Sequence, residues 1–296
     1  MKRLQKLVFL CSISFLVCAN AKEAKSISET LQEQKETTHE LKQEIQKKRQ
    51  EALAQQDKSA LIMWDNIEAV LEAKSGCFKK KEELEMHLCI YESIKKLAES
   101  GNFAAQDTVA KTYMAKPQEN YPMALHWFKI ALENPNTPNE YKEYILEDVK
   151  KVEGLVKENK LVNEKPLSES LQEDMAYIDH EQQNLAKEIK KAALSKDLDS
   201  LKMLKELESV FSAQKPCFEL KEEYDIQVCM LKQIKSLADK GNFFAQHQLG
   251  NIYENSIENK AMAIKWYNTA IKNPKTPKSY IPQIESDLQR VKSKTS

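Results

Sequence analysis

The sequence predicts an all-α fold of the α-solenoid type, built from helix hairpins. Three observations carry this prediction. Apolar residues recur three and four positions apart, as they do on the buried face of a helix. Glycine and proline are sparse, at five and nine of 296 residues, so long helices run without interruption. The third observation is a helix pair that occurs twice, at Gly101–Pro135 and at Gly241–Pro274.

Residues 1–21 are predicted to be a cleaved signal peptide. A basic segment (1–6) precedes an apolar run (7–17) that is too short to span a bilayer, and Ala19-Asn20-Ala21 fits an A-x-A cleavage site. Lipidation at Cys18 is the alternative, and it is disfavoured because Val17 is not the small residue that normally precedes such a cysteine. We therefore expect a periplasmic or secreted protein without a transmembrane span in the mature chain.

The balance of charge limits the class of partner. The full chain has 45 basic and 45 acidic residues, and cleavage removes three basic residues and no acidic one. The mature chain is then slightly acidic, which argues against a nucleic-acid partner or a polybasic membrane-binding role.

The mature chain is predicted to consist of two copies of one helical module. The first module covers 22–155, a polar linker 156–166, and the second module 167–296. Matching residues lie 140 apart at the start of the modules, 144 apart for Leu41 and Ile45 against Leu185 and Ile189, and 139 apart for the paired tryptophans. A gain and a later loss of four residues is about one helical turn each way, which keeps the buried face in phase.

Each module is predicted to begin with a long charged helix, at 28–58 and 168–195. It is either a solvated helix or an arm that pairs with a partner or with another copy of the protein. A second helix leads to a loop that holds Cys77, and a third helix carries Cys89. After the recurring helix pair, Thr137 and its counterpart Thr276 are predicted to cap a last helix.

The recurring helix pair has small residues that allow two helices to approach closely, and aromatic residues that fill the space beside them. The residues predicted to pack in this way are Ala105, Tyr113, Trp127 and Ala131 in the first copy, and Ala245, Gly250, Tyr253, Trp266 and Ala270 in the second. Each copy opens with a Gly-Asn pair and closes with Asn-Pro.

At these residues the chain resembles the Sel1-like repeat, a relative of the tetratricopeptide repeat that forms helix hairpins in an α-solenoid. The resemblance covers each Gly101–Pro135 and Gly241–Pro274 segment, with two departures. The loop between the helices lacks the usual glycine-rich turn, and Asn-Pro replaces the closing glycine. The resemblance implies fold and says almost nothing of function.

Four cysteines remain after cleavage: Cys77, Cys89, Cys217 and Cys229. The spacing C-x11-C occurs twice, which favours one disulfide within each module over the other two connectivities. Export to an oxidising compartment supports disulfides. A zinc site of all four cysteines is the competing interpretation, and it is disfavoured because zinc-binding cysteines usually stand two to four residues apart.

No catalytic, cofactor-binding or metal-binding constellation is predicted. The five histidines do not share a helix face at metal spacing and are interpreted as surface or boundary residues. The chain is similar to exported cysteine-rich Sel1-like proteins of epsilon-proteobacteria, some of which are associated with penicillin binding or weak β-lactamase activity. That chemistry needs S-x-x-K with partner motifs. S-x-x-K occurs at Ser93 and Ser212 without S-D-N or K-T-G, so an enzyme is not expected.

The leading functional hypothesis is a helical-repeat protein that binds another protein or a peptide in the cell envelope, on the concave side of the helix hairpins. Candidate contacts are Asn102, Gln106, Asn242 and Gln246, for which helix capping is the alternative role. A second hypothesis is a structural component of an envelope complex that self-associates through residues 28–58. A weak hydrolase of β-lactams or peptidoglycan is the third.

Overall fold

The computed structural model describes residues 27–114, 120–159, 167–257 and 259–293. Within α-helices it leaves out the side chains of 27–34, 157–159, 167–174, 177 and 223. The predicted signal peptide, with its cleavage site and Cys18, lies outside the described residues. The same is true of residues 160–166 of the predicted linker, whereas residues 156–159 continue a helix.

The described residues form twelve α-helices and one 3-10 turn, with no strand among them. They belong to two compact units, one within Cys18–Asn163 and the other within Glu164–Ser296. The helices of the first unit are α1 (Ile27–Gln55), α2 (Lys58–Cys77), α3 (Glu83–Glu99), α4 (Phe103–Met114), α5 (Tyr121–Glu133) and α6 (Asn139–Asn159). The second unit contains α7 (Leu167–Leu194), α8 (Leu198–Gln214), the 3-10 turn (Lys215–Glu219), α9 (Glu223–Asp239), α10 (Phe243–Asn255), α11 (Lys260–Lys272) and α12 (Ile281–Ser293).

Within each unit, every helix packs against the next one in the chain. In addition α4 contacts α2, and α10 contacts both α8 and α12, so the first helices of successive pairs lie side by side. This arrangement is that of a helical solenoid, as the all-α prediction expected. None of the described helices has the length and apolar composition needed to cross a membrane.

The charged first helices are packed onto their units. On α1 the buried positions are Thr38, Ile45 and Ala52, seven residues apart, and on α7 they are Ile178, Leu185 and Ala192. A seven-residue spacing is close to two helical turns, so each set forms one narrow stripe. Of the apolar residues on which the prediction relied, Leu41 and Leu53 are 42% and 55% exposed.

The two stripes have the same spacing in sequence. Thr38 lies 140 residues before Ile178, Ile45 before Leu185 and Ala52 before Ala192. The predicted match of Ile45 with Ile189, at an offset of 144, pairs a buried residue with a half-buried one.

The turns between helices show how local sequence sets the helix ends. Gly101 and Gly241 adopt positive φ angles of 91° and 84°, which end α3 and α9. Asp57 and Asp197 cap α2 and α8 through their side chains. The predicted capping by Thr137 and Thr276 is wrong, since their hydroxyls donate back to the carbonyls of Ala131 and Ala270 at 2.6 Å.

Candidate functional site

The four cysteines form two disulfides, Cys77–Cys89 and Cys217–Cys229, with Cα atoms 5.6 and 5.5 Å apart. The predicted pairing within each half of the chain is confirmed, and a zinc site of four cysteines is wrong. Cys77 is the last residue of α2 and not part of a loop, whereas Cys217 lies in the 3-10 turn. The first disulfide therefore fixes the end of α2 to the middle of α3, and the second fixes the 3-10 turn after α8 to the middle of α9.

The first two candidate partner-binding residues have their side chains occupied within the fold. The Oδ1 atom of Asn102 accepts the N–H of Ala105 at 2.8 Å, which caps α4. The amide of Gln106 donates to the carbonyl of Ala98 at 3.0 Å, and its Oε1 atom accepts from Asn134 at 3.0 Å. With 4% of its surface exposed, Gln106 does not present its amide to a partner.

The other two candidates repeat this arrangement. Asn242 caps α10 through the N–H of Ala245 at 2.8 Å, and Gln246 joins the carbonyl of Ala238 at 3.0 Å to the amide of Asn273 at 2.9 Å. Both are buried, at 6% and 5% exposure. Gln106 and Gln246 thus connect the start of each helix pair to its end. Asn102 and Asn242 cap the first helix of the pair, the alternative role that the sequence offered.

The residues predicted to pack the helix pair all lie in the interior. The alanine and aromatic side chains among them are at most 6% exposed. They are Ala105, Tyr113, Trp127, Ala131, Ala245, Tyr253, Trp266 and Ala270, together with Gly250 on the buried face of α10. A Cβ atom at Gly250 would overlap the ring of Tyr267. Glycine is thus required there by a close approach of two helices.

A buried polar cluster, not anticipated from the sequence, joins α10 to α12. His247, interpreted above as a surface or boundary residue, is 3% exposed. Its Nδ1 atom lies 2.8 Å from the hydroxyl of Tyr280 and its Nε2 atom 2.8 Å from Asp287. Arg290 donates to Asp287 at 2.6 Å and forms a two-point contact with Glu254 at 2.9 and 2.7 Å. We call these five residues the α10–α12 cluster.

Burial and charge set the ionisation of this cluster. Burial alone would raise the pKa of Asp287, but hydrogen bonds and charges from His247 and Arg290 hold it below the ordinary value. Burial raises the pKa of the Tyr280 hydroxyl, and the nearby Asp287 charge raises it further. Tyr280 therefore stays protonated, which makes it a poor nucleophile or base despite its place in an Asp–His–Tyr chain. The contacts of the cluster hold α12 against α10.

The corresponding place in the first unit holds different side chains. Asp107 stands 140 residues before His247 and is 4% exposed. It accepts from Lys111 and from the hydroxyl of Tyr141, each at 2.8 Å. Lys111 reaches Asp148 at 3.4 Å, and Asp148 pairs with Lys151 at 3.0 Å. We call this set the α4–α6 cluster.

The sequence carried one usable signal for the cluster. Position 247 lies three and four residues after Phe244 and Phe243, which places it on the buried face of α10. A histidine on such a face needs polar partners. Nothing in the sequence shows that these partners are 33 and 40 residues away.

The serine of the first S-x-x-K match lies beside a disulfide. The hydroxyl of Ser93 is 3.7 Å from the sulfur of Cys77, and Ser212 is exposed on α8. The two serines belong to different helices of different units. Across the described ranges, no group of histidine, cysteine, aspartate and glutamate is arranged to hold a metal ion.

Comparison of the chain with protein-family models, with curated proteins and with solved structures finds no match. The resemblance of Gly101–Pro135 and Gly241–Pro274 to Sel1-like repeats therefore stays a prediction.

Proposed function

We propose that this protein is an exported bacterial helical-repeat protein that binds another protein or a peptide in the cell envelope. The observation that carries the proposal is the architecture of successive helix pairs. Buried hydrogen bonds join the two ends of the pairs α4–α5 and α10–α11, and one disulfide crosslinks each unit. Such a scaffold presents a fixed helical surface and is suited to recognition of an extended or helical segment. Disulfides are typical of oxidising compartments, which favours the periplasm or secretion.

We infer that α4–α5 and α10–α11 are Sel1-like hairpins and that the two units are copies of one ancestral module. The support is the agreement of contacts at a fixed offset. Asn134 and Asn273 each tie a glutamine to a glycine carbonyl, and Thr137 and Thr276 each close the same turn. Substitution of Asn273 by Ala would leave the Oε1 atom of Gln246 without its donor, and we expect it to lower the free energy of unfolding by about 1–3 kcal/mol.

The binding face that we propose is the row formed by the first helices of the pairs. Because the predicted contacts have their side chains bonded within the fold, the candidates become the accessible side chains on the same helices. On α4 and α10 these are Thr108, Lys111, Thr112, Met114, Asn251 and Asn255. They replace Asn102, Gln106, Asn242 and Gln246 as the residues to test.

A photocrosslinking residue placed at Lys111 or at Asn255, in cells of the source organism, tests the proposal. We expect one specific crosslinked product from these sites and none from Lys129 or Ala261, which are exposed on the second helices of the pairs. An intact-mass measurement after thiol alkylation of the same sample is expected to find no free thiol. Equal crosslinking from all four sites, or none from any, contradicts the proposed face, and free thiols contradict the compartment.

The spacer alternative is less well supported. It requires the apolar residues of 28–58 to be available to another chain, but α1 uses Ile45 and Ala52 to pack on α2. Leu41 and Leu53 remain exposed, and they lie on either side of that buried stripe as single residues. Single exposed leucines are common on soluble proteins and carry little information.

A further inference from the structure

The two disulfides have different neighbours, and the first has a hydroxyl beside one of its sulfurs. The hydroxyl of Ser93 on α3 lies 3.7 Å from the sulfur of Cys77. Because a disulfide sulfur carries no proton, the hydroxyl is the donor in this contact. The corresponding position of α9, 140 residues later, holds Gln233. The second disulfide therefore lacks this hydroxyl.

A lysine amine lies on the same face of α2 as Cys77. Lys74 comes three residues before Cys77 and four after Val70, and both of these neighbours are buried. Burial lowers the pKa of the Lys74 amine, and among the described residues no carboxylate pairs with it. An ammonium group in such a place is stabilised by any negative charge that arises beside it. The corresponding residue of α8 is Gln214, which carries no charge.

The two sulfurs of the first disulfide differ in their access to solvent. Cys77 is 1% exposed, whereas Cys89 is half-buried. A thiolate from outside therefore attacks the sulfur of Cys89, and Cys77 is the leaving group. A leaving thiolate departs faster when its charge is stabilised, and Ser93 and Lys74 are placed to stabilise it. The second disulfide has the same difference in access, so the neighbours distinguish the two.

We propose that a dithiol reductant opens the Cys77–Cys89 disulfide first, through attack at Cys89, and leaves the other disulfide intact. One thiolate of the dithiol bonds to the sulfur of Cys89, and the electron pair of the broken S–S bond goes to Cys77. The second thiol of the dithiol loses its proton to water and displaces Cys89, which takes up a proton. The dithiol ends as a disulfide and both cysteines are reduced. The first unit thus carries a redox-sensitive link between α2 and α3, a regulation that goes beyond the binding of a partner.

Timed reduction of the mature, disulfide-bonded protein by dithiothreitol at neutral pH tests this order. Samples are alkylated at intervals, and peptide mass spectrometry measures the free thiol at each cysteine. We expect Cys77 and Cys89 to be labelled about tenfold faster than the other pair, at a rate proportional to the dithiol concentration. Similar rates for the two disulfides overturn the proposal. A rate that does not depend on the dithiol concentration also overturns it, because the unit would then have to unfold before reduction.

An exchange of residues between the two units assigns the effect to Lys74 and Ser93. Lys74→Gln with Ser93→Gln is expected to slow reduction of the first disulfide to about the rate of the second. Gln214→Lys with Gln233→Ser is expected to accelerate reduction of the second, which a purely structural role of these positions would not produce. Lys150, exposed on α6, supplies the control, and Lys150→Gln is expected to change neither rate. Unchanged rates in both exchanged proteins contradict the proposal.

A thiol titration decides the question if an exchanged protein fails to fold. Cys89→Ser leaves Cys77 as the single thiol, and Cys229→Ser leaves Cys217, with the other disulfide intact in each case. The thiolate of Cys77, followed by its ultraviolet absorbance, is expected to form at a lower pH than that of Cys217. Equal titration, or a higher pH for Cys77, overturns the proposal. In the wild type, a monothiol is expected to be trapped on Cys89, and an adduct on Cys77 would overturn the direction of attack.

Discussion

The α10–α12 cluster and the α4–α6 cluster lie at corresponding places in the two units, yet only a tyrosine and an aspartate are common to them. Tyr280 and Asp287 correspond to Tyr141 and Asp148, while His247 stands where the first unit has Asp107. The backbone of the helix pair therefore does not dictate which polar residues join it to the next helix. In both units the buried side chain on the first helix, Asp107 or His247, has a polar partner on the segment that follows the helix pair.

The two units place their buried acidic charge at different positions. Glu254 has a side chain that is 2% exposed and takes its charge balance from Arg290. Its counterpart in the first unit is Met114, and the counterpart of Arg290 is Lys151, whose side chain is 65% exposed. The buried carboxylate of the first unit is Asp107, whose side chain is 5% exposed and pairs with the more exposed Lys111.

Removal of Arg290 is expected to have the largest effect. Arg290→Ala leaves the buried Glu254 carboxylate without a counter-charge, which costs about 3–5 kcal/mol of unfolding free energy. Lys151→Ala, the matched control, breaks an exposed pair and is expected to cost less than about 1 kcal/mol. Urea unfolding followed by fluorescence separates the two, because Trp266 is the only tryptophan of the second unit. Equal losses at the two sites would show that Glu254 is hydrated in solution.

The two disulfides are expected to contribute equally to the stability of their units, although Cys77 ends a helix and Cys217 lies in a 3-10 turn. Each disulfide joins residues with a sequence separation of 12. Closing a loop of this size lowers the conformational entropy of the unfolded chain, which stabilises the folded protein by about 3 kcal/mol. Replacement of Cys217 and Cys229 by Ser, or of Cys77 and Cys89 by Ser, is expected to cost about that much in the unit concerned. If only one of the two replacements lowered the stability of its unit, packing in the folded state, and not loop closure in the unfolded chain, would determine the effect. The control is reductant, which is expected to destabilise the wild type and leave a variant without cysteines unchanged.

The Gly250–Tyr267 contact distinguishes the two helix pairs, since the first unit has Ala110 and Phe128 there. Gly250→Ala is expected to cost about 1–3 kcal/mol, because the new methyl group overlaps the Tyr267 ring and forces the helices apart. Gly154→Ala in α6 is the matched control: nothing lies within 4 Å of its added Cβ. There the gain in helix propensity is expected to stabilise by about 0.5–1 kcal/mol. Thermal unfolding measures the stability change of both variants. Stabilisation by Gly250→Ala would contradict the close approach of Gly250 to the Tyr267 ring.

The all-α fold and the disulfide pairing could be predicted because both depend on local or repeated signals. Helical periodicity is written within each helix, and the C-x11-C spacing appears twice. The candidate binding residues could not be judged in the same way. Asn102 and Gln106 are polar residues near a turn, and only the folded structure shows that Asn102 donates to the carbonyl of Asn66 and that Gln106 accepts from Asn134.

The α10–α12 cluster was missed for a related reason. The burial of a single histidine can be predicted only when its position on the helix is compared with the positions of the neighbouring apolar residues. Its partner Asp287 lies on α12 and its partner Tyr280 lies in the turn just before that helix. Hydrogen bonds between polar side chains that are far apart in sequence are therefore the feature of this structure that the sequence predicted least well.

The pH dependence of the second unit gives the smallest effect and the most direct view of the cluster. The folded pKa of Asp287 is below its ordinary 3.8, so its contribution to stability is complete above that value and is lost as the pH falls through the lower folded value. The midpoint of urea unfolding, followed by Trp266 from roughly pH 5 to pH 3, is expected to fall more steeply in the wild type than in Asp287→Asn. The variant starts less stable, so the comparison rests on the slope and not on the midpoint. Parallel slopes would mean that Asp287 is as well solvated in the folded protein as in the unfolded chain, and that His247 and Arg290 do not hold its charge.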